Sequence, residues 1–135
     1  MNKDEVVGTY EVYLAAHPSM FVGKKPVAVI IDGKRIPVNS WSKVYKEVLQ
    51  DCIKDPARHK LLMELRGRIA GQQRVFISAS PDSMTRPLEI SEELYAEVHY
   101  GSETLMHILT IRVLKPLGYD YSNIKIEIKR RIHSW

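Results

Sequence analysis

Val27-Ala-Val-Ile-Ile-Asp-Gly-Lys-Arg-Ile-Pro-Val38 decides the fold. Asp32-Gly33 stands between two apolar runs, and a two-residue type I′ turn needs positive φ at both central positions, which this dipeptide tolerates. A hairpin closed there sets Ile31 opposite Lys34, Val29 opposite Ile36 and Val27 opposite Val38. Val27, Val29, Ile31, Ile36 and Val38 then share one face, while Ala28, Ile30, Arg35 and Pro37 share the other. One register satisfies the period-two rule on both strands, and a slip of one residue would turn the apolar set outward.

Downstream, Trp41, Val44, Tyr45, Val48, Leu49 and Cys52 recur at i, i+3, i+4, i+7, i+8 and i+11, which predicts an amphipathic helix capped by Ser40. Asp55-Pro56 restarts the chain as a second helix, because Asp caps and Pro suits the first helical position. Its stripe of Leu61, Leu62, Leu65 and Ile69 is expected to end at Gly71. Val75–Ala79 has strand character, and residues 80–93 form a loop in which Leu88 and Ile90 could add a short edge strand. Tyr95–Tyr100 alternates, with Ala96, Val98 and Tyr100 on one side and Tyr95, Glu97 and His99 on the other. Gly101-Ser102 opens a last helix whose apolar residues, from Leu105 to Leu117, cover most of its circumference. Pro116 falls in its last turn, and Gly118 is suited to the position just past its end. Ile124–Ile128 is an alternating strand.

Upstream, Val6, Tyr10, Tyr13 and Leu14 fit a helical face within residues 4–17, and Thr9–Leu14 also fits a strand; the helix is the expectation, ending before Pro18. Residues 18–26 then form a connector. The fold expected is α+β: a mostly antiparallel sheet of four to five strands with two or three helices packed on one face. Residues 1–25 would be an N-terminal helix or strand with its connector, and 26–135 a single domain. The predicted core holds Val27, Val29, Ile31, Ile36, Val44, Val48, Phe76, Val98, Leu105, Leu109, Ile126 and Ile128.

A length of 135 residues, 44% hydrophobic and 27% charged, suits one globular domain with a real core. No apolar run reaches the roughly 18 residues of a membrane span, and the N-terminus lacks the pattern of a signal peptide. One cysteine, Cys52, cannot form an internal disulfide, so the chain reads as intracellular and cytoplasmic. Its position on a helix's apolar face makes Cys52 core rather than nucleophile.

Catalytic signatures are missing: no G-x-S-x-G, no Gly-rich phosphate loop, no H-E-x-x-H and no paired CxxC. His99 and His107 are the one suggestive histidine pair and Glu97 and His99 share a strand side, yet no set of three ligands stands at metal-site spacing, so neither metal nor cofactor is expected. Ser78, Ser80, Ser83 and Ser91 have no base assigned by any motif. Neither a catalytic residue nor an enzyme activity is therefore assigned.

The net charge of +4 is unevenly spread: 56–74 and 106–135 each carry +4, and 75–105 carries −5. Lys24, Lys25, Lys34 and Arg35 gather around the hairpin, Arg66, Arg68 and Arg74 around the end of the second helix, and Lys125, Lys129, Arg130 and Arg131 at the last strand. Such cations suit phosphates, and tyrosines can stack bases. Tyr95, Tyr119, Tyr121 and Trp135 alternatively suit a protein-binding patch.

Val27–Leu49 and Leu94–Ile128 together resemble a small, poorly characterised bacterial domain that occurs alone or C-terminal in restriction-related and mobile-element proteins. The resemblance implies an association with DNA metabolism or phage–host conflict, and it transfers no catalytic residue. The expected function is a non-enzymatic module that binds nucleic acid through its basic residues. The alternatives are a phage or mobile-element factor that inhibits a host defence protein, and a nucleotide-binding protein. A protein partner and a homo-oligomer both stay open, and no membrane association is expected.

Overall fold

The computed structural model describes residues 8–67, 69–70 and 74–129. Within it the hairpin forms in the expected register. β2 (Pro26–Ile31) and β3 (Lys34–Pro37) pair antiparallel with Val29 opposite Ile36 and Ile31 opposite Lys34. Asp32 and Gly33 take φ of 52° and 77°, the left-handed pair a type I′ turn requires. The Val38 amide donates to the Val27 carbonyl at 3.0 Å and extends the ladder by a rung. Val27 itself is only half-buried, which departs from the expected core. The cause is a bulge against β9 (Lys125–Lys129): Pro26 faces Ile128 and Ala28 faces Glu127, so Val27 is the extra residue and Pro26 takes the buried position.

The helix expected over residues 4–17 is corrected for its described part, because Thr9–Tyr13 is a strand, β1, antiparallel to β9. Tyr10 and Val12 pack against the core while Thr9, Glu11 and Tyr13 face outward. Spacing alone fitted both elements, and the free edge of β9 decides between them by taking up the strand's backbone groups. Residues 4–7 lie outside the described residues.

The expected single sheet is also corrected. The protein is α+β, but its strands form a four-stranded antiparallel sheet, ordered β1-β9-β2-β3, and a separate three-stranded one. The smaller sheet places β8 (Leu94–Glu97) between β6 (Ile77–Ser78) and β7 (Pro87–Ser91). A two-stranded ribbon joins β4 (Ile69–Ala70) to β5 (Arg74–Val75). The separation follows from α1 (Trp41–Cys52), which packs against β2 on one side and β7 on the other. Val44, Tyr45, Val48, Leu49 and Cys52 are all buried, an arc of roughly 140° that β2, β7 and the last helix share. Gln50 Nε2 donates to the Ile90 carbonyl at 2.7 Å and ties the helix to β7.

Both helix starts match their sequence signals. Ser40 Oγ accepts from the Lys43 amide at 3.2 Å, and Asp55 Oδ1 accepts from the Ala57 amide at 3.0 Å ahead of α2 (Pro56–Glu64). The end of α2 falls earlier than Gly71. Gly67, at φ 85°, turns the chain after Glu64 and donates to the Ile77 carbonyl at 2.7 Å, so Ile69 leaves the helical stripe and enters β4.

The last helix departs from a uniform α-helix. α3 (Ser102–His107) passes directly into a π-helix, Ile108–Leu114. Lys115 donates to the Thr110 carbonyl and Tyr119 to the Leu114 carbonyl, both five residues back. Pro116 supplies the reason, since it cannot donate to the Arg112 carbonyl and its ring would strike that oxygen in α geometry. Buried Thr110 returns its hydroxyl to the Met106 carbonyl at 2.9 Å. A 3-10 turn (Pro18–Phe21) completes the fold. Its Phe21 is fully buried, with its ring 5.1 Å from that of Trp41.

Because Leu49 is fully buried on the helix shared by both sheets, Leu49→Ala is expected to lower unfolding free energy by about 2–5 kcal/mol. Urea denaturation followed by far-ultraviolet circular dichroism measures the loss.

Candidate functional site

The basic residues that are distant in sequence divide into three places. At one end of the four-stranded sheet the Lys129 amide donates to the Lys25 carbonyl at 3.0 Å, which sets Lys24 and Lys25 beside Lys129. Trp41 Nε1 holds this end by donating to the Lys24 carbonyl at 2.9 Å. All three lysines are exposed, and among the described residues none has a carboxylate partner. Arg130 and Arg131 follow Lys129 directly in sequence, outside the described residues.

The hairpin end and the outer face of the sheet carry the second group, where cations are largely neutralised. Arg35 grips Glu127 with two hydrogen bonds, Nε to Oε1 at 2.9 Å and Nη2 to Oε2 at 3.2 Å. Those bonds hold the Glu127 carboxyl below its ordinary range. Lys125 lies 3.6 Å from Glu11 and 5.3 Å from the centre of the Tyr13 ring, which is 50% exposed. Lys34, at the turn, is exposed.

The third group borders an open groove of about 1080 Å³ between the end of α2 and the π-helix. Arg66 lines it, with Nε donating to the Met63 carbonyl at 2.9 Å and Nη1 to the Glu93 carbonyl at 3.2 Å. His107 and Arg112 line it from the last helix; sequence reasoning weighed His107 only beside His99 and did not single out Arg112. The available signal was Pro116, four residues beyond Arg112, which loosens the helix. Arg74 contributes its backbone to β5, whereas Arg68 and the side chain of Arg74 lie outside what is described.

The aromatic candidates do not converge on one exposed patch. The Tyr119 hydroxyl donates to Asp51 Oδ2 at 2.6 Å while Arg58 sits 5.4 Å over its ring. Burial, aided by that bond, pushes the Tyr119 phenol well above its usual range. Tyr121 is half-buried against the core, and Tyr95 is half-buried between Glu89 and Ser78 in the smaller sheet. Trp135 lies outside the described residues. No model of a known protein family matches the chain, and neither a curated protein nor a solved structure matches it.

The acid–base possibilities resolve into structural roles. Glu97 is 2% exposed, and its carboxylate accepts from the amides of Thr85 at 2.7 Å, Arg86 at 2.9 Å and His99 at 3.1 Å. It organises the loop before β7 rather than facing outward from the strand. His59 Nε2 lies 3.1 Å from Ser91 Oγ, a pairing that sequence motifs did not reveal. Nucleophilic activation also needs a group orienting the imidazole, and among the described residues no carboxylate bonds its other nitrogen. The contact ties α2 to β7. No group of three His, Cys, Asp or Glu among the described residues could hold a metal ion. No helix among them is long and apolar enough to cross a membrane.

Cys52 is fully buried, and burial pushes its thiol up to about 11. A thiol reagent such as dithionitrobenzoate is therefore expected to react only as the protein unfolds; stoichiometric labelling of the native protein within seconds would contradict its burial. The Arg35–Glu127 pair generates a pH dependence. A carboxyl lowered in the folded state contributes stability above its unfolded value of about 4.3, and loses it as pH falls through the lower folded value. The stability difference between wild type and Glu127→Gln, measured by urea titration, should be largest near neutrality and shrink toward pH 3.

Proposed function

We propose that this chain is a non-enzymatic module that binds nucleic acid through phosphate contacts. The observation that carries this reading is the 3.0 Å bond from the Lys129 amide to the Lys25 carbonyl. It gathers three lysines from two distant segments at one end of a sheet, none with a carboxylate partner among the described residues, ahead of two further arginines in the sequence. Phosphate backbones are bound by such clusters without base recognition, and the gain comes from releasing condensed counterions. Arg35 and Lys125 contribute less, because a phosphate would have to displace Glu127 and Glu11. The acidic segment 75–105 lies elsewhere in the chain and gives the surface two signs of charge, which orients the approach of a polyanion. An association with DNA metabolism, as the resemblance implies, agrees with this reading.

Fluorescence anisotropy with labelled single-stranded and duplex oligonucleotides at about 50 mM salt tests the reading. Affinity is expected to fall steeply with added salt. Lys24→Glu, Lys25→Glu and Lys129→Glu should each flatten the logarithmic salt slope by about one unit. Absence of binding to every oligonucleotide at that salt would exclude it.

A further inference from the structure

The groove between α2 and the π-helix has an arrangement that the reading above does not use. His107, Ile111, Arg112 and Pro116 all line it. At the roughly 100° per residue of an α-helix, Arg112 would lie about 140° and Pro116 about 180° around the axis from His107. A π-turn closes on the fifth residue instead of the fourth, so residues four, five and nine apart come to one side. The widened helix is therefore what assembles these four side chains along a single wall. π-Helical turns are rare and recur at functional sites.

The opposite wall presents a prepared guanidinium. Arg66 is held by the Met63 and Glu93 carbonyls through one Nε–H and one Nη1 proton. An arginine has five N–H donors in a rigid fork, so three remain for a ligand while the side-chain entropy is already spent. Arg112 is exposed and has no acidic partner among the described residues. Glu64 is the one carboxylate bordering the groove among the described residues, against two arginines and a histidine. The accessible apolar lining is Ile111, 41% exposed, and Pro116, with Phe76 buried beneath them. Two guanidiniums on facing walls suit a phosphate held between them, and the exposed apolar side chains beside Arg112 suit a weakly polar body attached to it.

We infer that this groove binds a nucleoside monophosphate, with Arg66 and Arg112 on the phosphate and Ile111 and Pro116 against the base and sugar. The site is separate from the lysine cluster and does not depend on it. Isothermal titration of the full chain with adenosine and uridine monophosphates, inorganic phosphate and adenosine tests the inference. At least one nucleotide should bind tenfold or more tightly than phosphate or adenosine alone. Arg112→Glu, a change at an exposed position, should weaken nucleotide binding at least tenfold while leaving the melting temperature unchanged. Ile111→Ser should weaken nucleotide binding without altering any response to phosphate. The Lys24→Glu/Lys25→Glu/Lys129→Glu variant should bind nucleotide as wild type does, even where it has lost oligonucleotide binding. The inference is overturned if neither nucleotide binds at millimolar concentration, if phosphate alone binds as tightly, or if Arg112→Glu leaves the affinity unchanged.

Discussion

Burial of α1 between two sheets is the constraint on which the remaining structure depends. The helix offers apolar side chains over a wide arc, and each large one is worth about 1.5–3 kcal/mol when fully removed from water. β2 covers part of that arc, and β7 covers another part, with α3 closing the remainder. The polar edges of the helix then fasten its neighbours: Gln50 holds the β7 carbonyl at Ile90, and Asp51 holds the Tyr119 hydroxyl. Trp41, at its start, fastens the connector through the Lys24 carbonyl. That last bond connects packing with the proposed function, because it positions the lysine segment beside β9.

Electrostatics follows the packing. On the outer face of the larger sheet, cross-strand geometry sets Arg35 against Glu127 and Lys125 near Glu11, so positive charge there is mostly cancelled. At the sheet's end no carboxylate among the described residues approaches Lys24, Lys25 or Lys129. Net charge by segment therefore misjudges where a polyanion would settle. The acidic segment is likewise not simply a solvated loop, since Glu97 is buried within it and spends its carboxylate on three backbone amides. A buried charge satisfied in this way stabilises a loop that has little apolar material of its own.

Local signals were legible wherever the information lay within a few residues. The Asp32-Gly33 turn, the Ser40 and Asp55 caps and the stripe of α1 all form as their spacing requires. Thr9–Tyr13 was ambiguous because short apolar spacings fit both periods, and the deciding partner, β9, lies more than a hundred residues away. The last helix was legible as a helix but not as a π-helix, because its burial pattern suits either; the strain at Pro116 is relieved in a way that only the packed chain selects. Among the site residues, sequence pointed to Arg66 and the lysines through charge alone. Arg112 was missed, as was its alignment with His107, since that alignment depends on the widened turn.

By itself the sequence determined the hairpin, its register, the start of each helix over 41–64 and the α+β class, because turn chemistry, capping and periodicity act over neighbouring residues. Only the tertiary structure decided that the strands divide into two sheets around α1, that β1 joins the edge of β9, and which described cations meet a carboxylate. Those outcomes depend on which distant surfaces meet when the apolar arc of α1 is buried. Charge pairing is then a consequence of that meeting, and composition holds no record of it.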